Sequence, residues 1–190
     1  MSGAHGHGHG NGENKKIALL ISVLALFLAL AETMAKGAQT NALSYNIEAS
    51  NLWAFFQAKT IRQTAVRTAL EMMSLDRARP SDPVAAEAVA KQTDTWSKTV
   101  ARWESEPETG EGRKELVARA KAAEEKRDTA RAKYHHYEVS SAAFQIAIVL
   151  ASATVITEAI ALAWLSISLG VVGIVFAGIG LFAPHAIHLF

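Results

Sequence analysis

Three histidines alternate with glycine at the start of the chain, His5, His7 and His9 in H-G-H-G-H-G. Imidazole is a good ligand for Zn, Cu or Ni, so a histidine-rich tract is a candidate metal site. Glycine supplies no pre-organised geometry, and ordering such a tail costs entropy. A polar tail over residues 1–14 is the plainer expectation, with weak metal binding as its rival. Two carboxylates stand inside apolar surroundings, Glu32 and Glu158, and Gln145 is a third strongly polar group there. A carboxylate within a membrane span is costly and marks function or pairing. Glu32 has Lys36 four residues on, the favourable order for a helical pair. Alternating topology puts Glu158 level with Lys15 or Lys16, and Glu32 level with His185 or His188. Structural pairs are expected at both levels, with a proton or cation path as the lesser reading.

His135 and His136, flanked by Tyr134 and Tyr137, read as an interfacial belt rather than a metal site. The chain has no cysteine, which excludes disulfides, thiolate metal sites and Cys nucleophiles. No Gly-rich phosphate loop, nucleophile motif or HExxH motif occurs. No enzyme is expected, and no cofactor. A net charge of +1 over 190 residues gives no sign of nucleic-acid binding.

The elements that must carry these groups follow from hydrophobicity. Ile17 to Ala31 is apolar except for Ser22, and Ala142 to Ala183 holds one charge, Glu158. A span needs about 20 largely apolar residues. The expected fold is an all-α membrane protein: a first transmembrane helix over 15–35, a soluble helical module over 36–140, and spans over 141–165 and 167–190, broken around Ser166–Gly170. A secretory signal peptide is the rival reading of the first helix, on Lys15, Lys16 and T-M-A.

Small residues recur in the spans. Ala18, Ser22, Ala25, Ala29 and Glu32 form one stripe, and Gly170, Gly173, Ala177, Gly180 and Pro184 another. Lipid is as apolar as Leu, so helices in a bilayer gain from close backbone approach, and both stripes are expected at helix contacts. Ser141, Gln145, Ser152 and Thr154 could bond across helices or, for Ser and Thr, back to their own carbonyls.

Within the module, Leu43, Ile47, Ala54, Ala58, Ile61, Ala65, Ala69 and Met72 recur at helical spacing, which predicts a stalk continuing from the first span to near Arg77–Pro80. Asp82-Pro83 reads as an N-cap with proline at the first helical position. Val89, Trp96, Val100 and Trp103 share one face of that second helix. A third helix begins near Arg113, with Leu116, Ala120, Ala123, Arg127, Ala130, Tyr134 and Tyr137 in a coiled-coil-like alternation. Trp53, Phe55 and Phe56 point in different directions around a helix, so some ring must face a second surface, and they and Arg62 are expected at an oligomer or partner interface. The rival reading bends the chain at Gly37 and lays this segment along the headgroups, with Lys59 and Arg62 near phosphate.

The signature N-L-W-A-F-F-Q-A-K-T-I-R, preceded by A-Q-T-N-A-L-S-Y-N-I-E-A-S and a lysine-flanked span, resembles an uncharacterised bacterial membrane-protein family, domain of unknown function 4337. The resemblance covers nearly the whole chain. It implies a three-span protein of the bacterial inner membrane and supplies no activity, cofactor or catalytic residue. The expectation is a membrane-anchored structural or accessory protein that meets lipid and either self-associates or docks on a larger membrane complex. A small ion- or proton-conducting oligomer and a His-tail metal-binding protein are the alternatives. Lys36 and the basic residues from Lys121 to Lys133 place the module and C-terminus in the cytoplasm by the positive-inside rule.

Overall fold

The computed structural model describes residues 10–76 and 82–187, and helix accounts for nearly all of them. Four helices follow in order: α1 (Gly10–Asp76), α2 (Pro83–Glu104), α3 (Arg113–Thr157) and α4 (Ile160–Phe182). Three of them, α1, α3 and α4, contain stretches long and apolar enough to cross a membrane. Contacts divide the chain into two units, Met1–Leu43 with Arg127–Phe190, and Ser44–Lys126. We call the first the membrane unit and the second the module.

In the membrane unit, α1 packs Leu24 and Ala31 against Phe144 and Ala147 of α3, flanked by Leu20, Leu28, Ile148 and Leu169. Further along, Ala35 and Ala38 meet Tyr137. The contact residues of α1 thus recur at three- and four-residue steps. The stripe Ala18, Ser22, Ala25, Ala29 and Glu32 is exposed instead. Leu19, Leu26, Leu30, Val149, Ile156 and Trp164 stay half or more exposed around the unit.

The break between α3 and α4 lies at Glu158–Ala159, not around Ser166–Gly170. Glu158 has a left-handed backbone, φ 57°, and Thr157 Oγ1 accepts the Ala159 amide at 3.4 Å. Glu158 therefore sits in the turn rather than within a span. Ser166 and Gly170 are buried inside α4, because a small side chain at close helix contact needs no turn. Gly37 likewise lies within continuous α1 helix.

In the module, Ala49 and Leu52 of α1 bury against Leu116, Ala120 and Ala123 of α3, with Trp53 and Phe56 half-buried on this cluster. The chain itself leaves the apolar row of α1 uncovered: Leu43 in the membrane unit, and Ile47, Ile61 and Met72 in the module, are 53–69 % exposed. Asp82 caps α2, accepting the Val84 amide ahead of Pro83 at the first turn. Val89, Trp96, Val100 and Trp103 of α2 are half-buried.

The turn from α2 to α3 depends on Gly110, at φ 66°, and on Gly112. A Cβ at Gly112 would fall on Glu115 Oε2 and the Glu106 amide, and 2.7 Å from Ser105 Cα. Backbone cannot give way cheaply there. Gly112→Ala is expected to cost about 1–3 kcal/mol of module stability, as overpacking does; chemical denaturation of the full chain against wild type measures it.

Candidate functional site

The module holds a polar network on its inner face. Lys59 and Gln63 occupy positions on the buried face of α1, where the spacing calls for apolar residues. Lys59 bonds the Glu111 carbonyl, lies 3.9 Å from the carboxylates of Glu106 and Glu111, and rests over the Phe55 ring. Gln63 donates to the Val100 carbonyl at 3.1 Å and to Glu104 Oε2 at 3.0 Å. Arg113, the first residue of α3, donates to Thr60, to Gln63 Oε1 at 2.6 Å and to Glu104 Oε2 at 2.8 Å. Its guanidinium also lies 5.1 Å from the Phe56 centroid. One arginine thus ties α1, α2 and α3 together with bonds of the charge-assisted, forked kind that suit Arg and not Lys.

This arrangement fixes the aromatic signature. Trp53 and Phe56 meet edge to face at 5.6 Å, and the Trp53 indole donates to Glu124 Oε1 at 3.0 Å. Both rings, expected at an outer interface, serve the module's own packing. Phe55, 38 % exposed, is the one that turns outward, and Arg62 is exposed. The two polar seam residues were the sequence signal for this network: Lys59 and Gln63 interrupt an apolar alternation and must find partners if the seam is buried.

Acid titrates the network. The Gln63 amide, with help from Arg113, holds the Glu104 carboxyl below its ordinary 4.5, against the opposing effect of burial. The Ser105 hydroxyl and Glu106 amide lower Glu115 in the same way. A depressed folded-state value contributes stability above about pH 4.5 and loses it as pH falls through that depressed value. Denaturation of the full chain between pH 7 and 3 is expected to show stability declining below about pH 4.5, with a shallower decline in Glu104→Gln.

In the membrane unit, the glycine seam of α4 faces the chain's own helices. A Cβ at Gly170 would lie 2.8 Å from Leu24, at Gly173 2.8 Å from the Phe144 ring, and at Gly180 2.8 Å from Tyr137. Ala177 and Pro184 are half-buried on the same line. Two hydroxyls not foreseen from sequence join α3 to α4: Ser140 donates to the Gly173 carbonyl and Ser166 to the Ala147 carbonyl, both at 2.7 Å. Their close approach is what the small residues permit. Ser141, Ser152 and Thr154 bond carbonyls of their own helix.

The intramembrane polar groups pair otherwise than expected. Gln145 donates to Glu32 Oε1 at 3.3 Å on the exposed side of the helix pair. His185 meets Thr129 at 3.1 Å, not Glu32, and no ion pair joins Glu158 to Lys15 or Lys16 among the described residues. His136 and Tyr137 are buried at 1 % and 4 %, so they form core rather than a belt. His136 Nε2 lies 3.1 Å from the Pro184 carbonyl, its ring stacks near Phe176, and its Nδ1 has no hydrogen-bond partner. His5, His7, His9 and His188 lie outside the described residues.

No group of three or more metal ligands is found among the described residues. Within the module, the geometry builds three helices cross-tied by Lys59, Gln63 and Arg113. Comparison with curated proteins and with solved structures gives no match. A family profile described as a domain of unknown function, DUF4337, matches residues 13–183. The tied module, the glycine-packed helices and the signature around Trp53 all lie within that span, and the chain belongs to the DUF4337 family.

Proposed function

We propose that this is a three-span protein of the bacterial inner membrane, a structural or accessory subunit that self-associates and holds its helical module in the cytoplasm. One observation carries the reading: the module's polar groups are tied inward by Arg113, Lys59 and Gln63, while large apolar side chains are left outside. Ile61, Met72, Leu75 and Val84 are each 65–74 % exposed. A surface of that kind on a body outside lipid marks protein contact. The contact partner is protein and membrane lipid, not nucleic acid, and no cofactor takes part.

Docking on a larger membrane complex is the neighbouring form of the same reading. A small conducting oligomer is the second reading, favoured by the Glu32–Gln145 pair on the outside of the membrane unit, where several copies could turn it toward a shared axis. Two experiments on the purified full chain separate these. Particles extracted in mild detergent are expected to contain this chain alone in a fixed multiple; a stoichiometric second protein points to the larger complex. Proteoliposomes are expected to show no proton or cation flux above empty vesicles. Flux abolished by Glu32→Gln favours the conducting oligomer and contradicts the structural reading. Protease added to intact spheroplasts is expected to spare the Glu106–Gly112 turn.

A further inference from the structure

We infer that the outer stripe of α1 in the module is a pairing surface for a second copy of this chain, parallel and in register. The inference rests on the self-association reading and adds the surface and its geometry. In the module, α1 buries Ala49, Leu52, Lys59 and Gln63, with Phe56 half-buried among them. Nine residues after each of these, two and a half turns at 3.6 residues per turn, lies the opposite side of the helix. Those positions are Ala58, Ile61, Thr68, Met72 and Ala65. Ile47 and Ala54 continue the same side. The module's α1 therefore has two opposite faces of different character: one mixes apolar residues with the tied Lys59 and Gln63, and the other is uncharged throughout. Its own chain covers one and leaves the other open, with Ile61 and Met72 at 69 % and 65 % exposure.

Three features select a second copy as the occupant. The stripe carries no charge, and between Asn46 and Ala69 its flanks, Asn46, Asn51, Gln57, Arg62 and Thr64, carry one. A charged partner segment finds nothing to pair with, whereas two like copies meet without like-charge repulsion; in a parallel pair Gln57 faces Arg62 of the other copy. From Ala58 the spacing alternates three and four residues through Ile61, Ala65, Thr68 and Met72, the a/d spacing of a parallel two-stranded pair. Anchoring in one bilayer then gives both copies the same direction and level, which makes the contact isologous and in register.

Size limits the strength of this pairing. From Ile47 to Leu75 the stripe is about 40 Å long and about 10 Å wide, so pairing covers about 800 Å² in total. Stable interfaces begin near about 1,200 Å². The pair is thus weak between free modules and depends on the raised effective concentration of copies confined to one membrane.

The natural absence of cysteine makes the test direct. Single-cysteine variants Ala58→Cys, Ile61→Cys and Ala65→Cys are oxidised in native membranes, with Glu48→Cys as an exposed control off the stripe. A disulfide needs Cα atoms about 4.4–6.8 Å apart, so only an in-register parallel stripe brings one position onto its own counterpart, and crosslinked dimer is expected at least about tenfold above the control. Ile61→Asp, tolerated at an exposed position, is expected to retain helicity and lose the oligomer. Oligomers that persist in Ile61→Asp without stripe crosslinks overturn this surface and leave self-association standing. Crosslinks to a different protein also overturn it. Monomers throughout overturn both.

Discussion

Gly173→Leu is expected to unpack the membrane unit. The added side chain starts 2.8 Å from Phe144, a ring 1 % exposed and stacked on Phe27 at 5.8 Å. The ring cannot retreat without giving up Leu24, Ala31 and Ala147 around it. The Gly173 carbonyl also accepts Ser140, so separating α4 from α3 leaves a buried hydroxyl unpaired. Overpacking of this kind costs about 1–3 kcal/mol, and the lost hydrogen bond adds about 1–2 kcal/mol. Gly178→Leu is the matched control, since a Cβ there meets nothing within 4 Å. Thermal unfolding in detergent is expected to show a lowered midpoint for the first variant and little change for the second. Equal midpoints refute the packing described for α4.

Arg113→Ala is expected to destabilise the module. It removes the donors to Thr60, Gln63 and Glu104 together and strips the cation from the Phe56 ring. The Arg113 side chain is 22 % exposed and Glu104 35 %, so solvent screens part of the loss. A fully buried pair broken on one side costs about 3–5 kcal/mol and an exposed pair under about 1 kcal/mol. About 2 kcal/mol is the expected loss, read by chemical denaturation of the full chain. Arg113→Lys keeps the charge without the fork and is expected to recover less than half of it. Full recovery by lysine shows that charge alone matters and removes the role given to guanidinium geometry.

Much of the helical architecture was legible because periodicity and caps are local. Asp82-Pro83 and the start of α3 at Arg113 follow from residues adjacent in sequence, while the expected end of α1 near Arg77–Pro80 lies outside the described residues. The α4 glycines were legible as a close-approach line, since nothing else explains Gly at helical spacing in a span. The choice of face on α1 was not. Both of its sides repeat at helical spacing, and the side with Ile47, Ile61 and Met72 is the more hydrophobic. The chain nonetheless buries the side with Ala49, Lys59 and Gln63, because Arg113, Glu104 and Glu111, some forty to fifty residues away in sequence, supply their partners. A seam decided by long-range polar pairing cannot be read from hydrophobicity along one helix. The turn at Glu158 was missed for a related reason: residue counting placed it mid-span, while its left-handed backbone and the Thr157 hydroxyl close the chain there.

Self-association in the membrane is the central claim, and counting copies in a bilayer tests it most directly. The full chain, fluorescently labelled at one site and captured in lipid nanodiscs from native membranes, bleaches in discrete steps. Two or more steps in most particles, reduced to one by Ile61→Asp, are expected. Single steps in nearly all wild-type particles, at the same labelling efficiency, contradict the account.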